Sequence, residues 1–135
     1  MHILVVEDDF ISRRLLCRYL EPFGECDVAV NGEEAVVAFN DAVDKGTPYD
    51  LICLDIMMPG MDGHETLKLF RSHEEKSGIN LGQGSKVIMT TSLQDHKSIR
   101  KAFKESADGY VVKPVEKKKF LATLSEIGVE FTIPM

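Results

Sequence analysis

Short apolar runs recur along this chain, and the residues that close them carry reactive groups. Ile3-Leu4-Val5-Val6 is followed by Glu7, Asp8 and Asp9, and Leu51-Ile52-Cys53-Leu54 by Asp55. Val87-Ile88-Met89 ends in Thr90-Thr91-Ser92, and Tyr110-Val111-Val112 ends in Lys113-Pro114. Runs this short and apolar suit parallel strands buried on both faces. A group just past such a strand emerges at the carboxyl edge of the sheet, where open α/β folds hold ligands. One edge then carries acids, hydroxyls and an amine. Carboxylates gathered there repel one another, and a bound divalent cation relieves that repulsion.

Between the runs the apolar period becomes helical. Phe10 to Leu20 reads as a helix with Ile11, Leu15, Leu16, Tyr19 and Leu20 on one stripe, stopped by Pro22 and Gly24. Cys26 to Val30 is a weaker strand, interrupted by Asp27 and expected at the sheet edge. Asn31 caps a second helix, with Glu34 as its capping-box partner and Ala35, Val36, Ala38, Phe39 and Val43 facing inward. Gly46 and Pro48 break that helix, and Asp50 to Leu54 forms the third strand. After the Pro59-Gly60-Met61-Asp62-Gly63 loop, a third helix runs from His64 to His73. The connection from Ser72 to Ser85, with Gly78, Gly82 and Gly84, is longer than the fold needs and is expected to be mobile or partner-specific. A fourth helix is expected from Asp95 to Glu105, and a last one from Glu116 with Phe120, Leu121, Leu124 and Ile127 inward. Alternating strand and helix implies a parallel sheet covered on both faces.

With 135 residues the chain is one domain, 1–135, with room for a real core. A formal charge of −6 argues against nonspecific nucleic-acid binding, which needs a positive surface. Cys17, Cys26 and Cys53 lack metal-ligand spacing, and Cys53 sits within an apolar run, so a reducing, cytoplasmic setting is expected. Strand one starts almost at Met1, leaving no room for a signal peptide, and no run is long enough to span a membrane. The four histidines are scattered without ligand spacing.

Four motifs, in order and each at an expected strand end, resemble the receiver domain of two-component response regulators, in its single-domain, chemotaxis-regulator-like form. They are Val5-Val6-Glu7-Asp8-Asp9, Leu54-Asp55-Ile56-Met57-Met58-Pro59-Gly60-Met61-Asp62-Gly63, Thr91, and Gly109-Tyr110-Val111-Val112-Lys113-Pro114. The resemblance covers residues 2 to about 127. It implies a doubly wound, flavodoxin-like fold with strand order 2-1-3-4-5 and five flanking helices, which sets strands one and three side by side. It further implies that Asp55 accepts a phosphoryl group from a phosphohistidine on a sensor histidine kinase or histidine phosphotransfer protein. Asp8, Asp9, Asp55 and the main-chain carbonyl of Met57 would bind Mg²⁺.

The chemistry fits those residue types. An ionised carboxylate attacks phosphorus in line, Mg²⁺ takes oxygen ligands, Lys113 adds a compact positive charge and Thr91 a hydroxyl donor. The acyl phosphate suits a switch rather than a metabolite. In the family, Thr91 and Tyr110 couple it to the face formed by the fourth helix, the fifth strand and the last helix, where a downstream protein docks. The family pattern also has a cis bond at Lys113-Pro114, which the sequence itself does not reveal.

Each residue has a plainer reading. Asp8 or Asp9 caps the first helix, and Glu7 faces either the site or solvent. Thr91 competes with Thr90 and Ser92 for the inward hydroxyl, although strand alternation favours Thr91. Tyr110 is either a core-edge aromatic or a switch. Arg100, Lys101, Lys104 and Lys117 to Lys119 form either a solvated basic face or a surface for an acidic partner. Met57 sets an apolar side chain near the phosphoryl group, where it would influence attack by water. An aspartyl phosphohydrolase is the main competing class, but Met57 stands where such enzymes carry a second acid. A flavin carrier would need a phosphate-cradling loop after strand one, where this chain has acids.

Overall fold

The computed structural model describes residues 1–92 and 107–129. Five parallel strands form one sheet: β1 His2–Val6, β2 Glu25–Ala29, β3 Leu51–Asp55, β4 Lys86–Thr91 and β5 Gly109–Val112. Their order is β2-β1-β3-β4-β5. Four α-helices are seen among the described residues: α1 Phe10–Leu20, α2 Gly32–Asp44, α3 Gly63–Lys76 and α4 Lys117–Glu126. The fold is thus the expected doubly wound one with four helices rather than five in view; the helix expected over Asp95 to Glu105 lies outside the described residues.

Burial on both faces explains the apolar runs. Every residue of β3 is buried, and so are Ile3 to Val6 of β1. Residues alternate between two cores. Leu4, Val6, Ile52, Leu54, Val87 and Met89 pack with Phe39 of α2 and Phe70 of α3, whose rings stack at 4.3 Å. Ile3, Val5, Leu51, Cys53, Ile88 and Val111 pack with Leu16 and Leu20 of α1 and Phe120 and Leu124 of α4. Burying an aromatic of this size contributes roughly 1.5–3 kcal/mol. Edge strand β2 is mostly exposed, as its polar content requires, and is shifted one residue toward the N-terminus of the expected span.

Helix ends follow local chemistry. Asp9, Asn31 and Asp62 each have extended backbone and accept from the amide three residues on. Glu34 Oε1 in turn accepts from Val30 N at 3.3 Å, one residue before the Asn31 cap, rather than from the cap's own N–H as a capping box would have it. Helix α3 starts one residue earlier and ends three residues later than expected, so it absorbs part of the long connection. The two ends of that connection are tied by buried polar groups. Glu74 accepts from Ser85 N at 2.8 Å and from Arg71 Nη1 at 2.8 Å. Arg71 also donates to the Ser85 carbonyl and to Asp108. The glycine-rich composition of the segment concealed these buried polar ties.

Candidate functional site

The carboxyl ends of β1, β3, β4 and β5 bring the site together. In register, Val6 lies beside Leu54, Asp55 beside Thr90, and Thr91 beside Val112. Glu7 N donates to the Ala29 carbonyl at 3.1 Å, which extends the ladder by one residue and holds Glu7 on the face of Ile3 and Val5. Glu7 is fully buried and Asp55 is 2% exposed, while Asp8 lies at the rim. Carboxylate oxygens of these three residues lie within 4.8 Å of one another, the one such group of potential metal ligands among the described residues.

Asp9 is not in that group. Its Oδ2 accepts from Ser12 N at 2.9 Å, and this bond, first among the causes, lowers its pKa. Asp9, expected as a metal ligand, serves in this structure as the α1 cap, and Glu7 stands in the cluster with Asp8 and Asp55. Alternation did not reveal this, because Ile3 to Val6 are buried on both faces and give no inward parity.

Lys113 offsets part of the negative charge. Its Nζ donates to Glu7 Oε1 at 2.8 Å and lies 3.3 Å from Asp55 Oδ1. Burial works against the ammonium, but the bond to Glu7 and the charges of both acids prevail, so its pKa is raised. Asp55 Oδ1 also accepts from Met57 N at 3.2 Å. Desolvation, then Glu7 beside it, push the Asp55 carboxyl up to about 8 despite Lys113. One amine thus faces three acids. Glu7 Oε2 is buried and receives no hydrogen bond. Such a donor set, crowded and under-neutralised, fits a small divalent cation that takes oxygen ligands.

The other expected residues frame this cluster. Thr91 is buried, and its hydroxyl donates only a long 3.4 Å contact to the Ser92 carbonyl. Met57 is 65% exposed at the mouth. Tyr110 is 36% exposed between two buried neighbours on β5. The Lys113–Pro114 peptide is cis. Gly63 lets α3 start against β3: its N–H donates to the Ile56 carbonyl at 2.9 Å, and a Cβ would collide with the Asp55 carbonyl and Ile56 Cα. Lys117 to Lys119 are exposed on α4, whereas Arg100, Lys101 and Lys104 lie outside the described residues.

Comparison with known proteins agrees with the fold. The family model for the response regulator receiver domain matches residues 3–125. The chemotaxis protein CheY of Halobacterium salinarum is 33% identical over 126 residues, which cover 93% of this chain and 94% of that protein. The CheY of Borrelia burgdorferi, solved in a CheX-CheY-BeF3-Mg complex, superposes with a TM-score of 0.81 at 25% identity, covering 96% of this chain and 90% of that one. A co-crystal structure of the Saccharomyces cerevisiae phosphotransfer protein Ypd1 with the receiver domain of Ssk1 gives 0.78 at 26% identity, covering 95% and 88%. Other matches are far longer: the chain spans 12% of probable histidine kinase 2 of Oryza sativa, at 29% identity.

Proposed function

The chain belongs to the response regulator receiver family, a family of phosphoacceptor signalling switches, and we propose that Asp55 is its acceptor residue. The observation that carries this is the convergence of Glu7, Asp8 and Asp55 on one buried pocket, with Lys113 3.3 Å from Asp55. An ionised Asp55 oxygen attacks the phosphorus of a phosphohistidine. The P–N bond breaks, the imidazole keeps the electron pair, and an acyl phosphate remains. Lys113 exchanges Glu7 for a phosphoryl oxygen, and the Thr91 hydroxyl, weakly engaged at rest, donates to another.

Glu7, Asp8 and Asp55, with the main-chain carbonyl of Met57, would hold Mg²⁺. When bound, the ion supplies positive charge against the acids and the phosphoryl oxygens through oxygen ligands. The phosphohistidine donor is a sensor histidine kinase or a histidine phosphotransfer protein, as the likeness to the receiver in the Ypd1–Ssk1 complex supports. Thr91 moves toward the phosphoryl group, Tyr110 turns inward, and the face around β5 and α4 changes for a downstream protein. No helix among the described residues is long and apolar enough to cross a membrane, and we place the switch in the cytoplasm, without direct nucleic-acid contact.

The test is mass measurement after incubation with acetyl phosphate or phosphoramidate, with and without Mg²⁺. One alkali-labile phosphoryl group is expected, dependent on Mg²⁺ and absent in Asp55→Asn. Catalytic turnover of many donor molecules without a lasting adduct would instead favour a hydrolase.

A further inference from the structure

Thr90 stands out among the residues of the site. It is fully buried, and its Oγ1 has no hydrogen-bond partner. Its register partners are Asp55 on one side and Val111 on the other, so these three side chains share one face of the sheet. Cys53, Ile88 and Val111 on that face are apolar and buried. A valine has the same shape as threonine and would fill such a place without leaving a hydroxyl unsatisfied. Packing alone therefore does not account for the hydroxyl.

The path of Lys113 does account for it. Lys113 follows the end of β5, yet its Nζ reaches Asp55 on β3 and Glu7 beyond β1. Strand β4 lies between β5 and β3, so the lysine reaches past the end of β4, and the Asp55 it meets shares a face with Thr90. An ammonium has three N–H donors. Glu7 takes one of them, and Asp55 lies 3.3 Å away as an ion-pair partner.

We propose that Thr90 is a positioning residue for Lys113: its hydroxyl, unpartnered in the resting site, accepts an N–H of the ammonium as the lysine passes from Glu7 to the phosphoryl group, and steadies it there. The inference rests on the acceptor role of Asp55 proposed above and adds a second β4 hydroxyl, distinct from Thr91, that acts beneath the amine. Thr91 lies on the other face of β4, beside Val112. Both act in this scheme, from opposite faces of the strand.

The experiment measures the rate of phosphoryl uptake from phosphoramidate with Mg²⁺ in wild type, Thr90→Val and Thr90→Ser, each also combined with Lys113→Ala. Thermal unfolding of each variant is recorded alongside. Thr90→Val is expected to slow uptake about tenfold, the equivalent of one hydrogen bond to a charged group. Thr90→Ser restores most of the rate, and in the Lys113→Ala background the valine has no further effect. Uptake by Thr90→Val at the wild-type rate, or the same tenfold loss with Lys113 absent, overturns the proposal while leaving the acceptor role of Asp55 intact. A loss that follows the unfolding midpoint and is not rescued by serine overturns it as well, since that is the mark of a merely structural residue. Absence of any adduct on wild type would instead overturn the acceptor reading, and this proposal with it.

Discussion

The two ends of the sheet treat buried acids in opposite ways. At the amino end Glu74, 5% exposed, accepts from Arg71 and from Ser85 N, and Asp108 accepts from Arg71 and from Val87 N. Each acid there has a guanidinium donor and a backbone donor. At the carboxyl end Glu7, Asp8 and Asp55 converge with Lys113 between two of them, and Glu7 Oε2 is left without a donor. Buried charge is tolerated only when paired and hydrogen-bonded. The amino end meets that condition with the chain's own groups and ties the two ends of the long connection. The carboxyl end meets it in part, and its unmet portion is the capacity to take a cation and a phosphoryl group. The same residue types serve as fasteners at one end and as stored repulsion at the other.

That contrast breaks most sharply at Asp55. Asp55→Asn should abolish phosphoryl uptake, as intact mass will show, and should also raise the unfolding midpoint of the metal-free protein at pH 8 by removing one of the crowded charges. The opposite sign is expected at the amino end. Glu74→Ala removes one of the two acids that pair with Arg71 and strips the buried Ser85 N–H of its acceptor, which should cost about 2 kcal/mol in urea unfolding. A loss at Glu74 no larger than that of an exposed salt bridge would show that the two ends do not differ as described.

The pH dependence sharpens the comparison. Asp55 has an ordinary value of 3.8 and a folded value near 8, so the folded protein holds this proton more tightly than the unfolded chain. Its contribution to stability is complete below pH about 4 and is lost as the pH rises through about 8. The slope is at most about 1.4 kcal/mol per pH unit, the value for a single proton. Lys113, raised from 10.5, loses its contribution only above that value, outside this window. Stability of the metal-free protein should therefore fall between pH 5 and pH 8, and saturating Mg²⁺ should flatten the profile. A flat profile without Mg²⁺ would mean that the acids are already neutralised. The smallest effect is expected at the rim. Met57→Asn replaces an exposed apolar side chain with a polar one able to orient water, and it should change the lifetime of the acyl phosphate a few-fold in a decay assay.

Much of this was legible before any coordinates. Apolar runs of strand length marked four of the strands, the weaker pattern broken by Asp27 marked the edge strand, and the cap at Asn31 lies where a short polar residue precedes an amphipathic stretch. Asp55, Thr91 and Lys113 sit at the strand ends from which they were read. The ties at the ends of the long connection were not legible, because Arg71, Glu74, Ser85 and Asp108 are linked across up to 37 positions by contacts that leave no periodic trace.

The sequence by itself determined the layered fold and the edge at which the chemistry gathers, because strand length, helical period and chain-end polarity are local properties. Only the tertiary structure decided which acid does what. In β1, buried on both sides, side-chain parity carries no sign. The inward turn of Glu7, the capping turn of Asp9 and the reach of Lys113 across β4 depend on the neighbours that the sheet sets beside them.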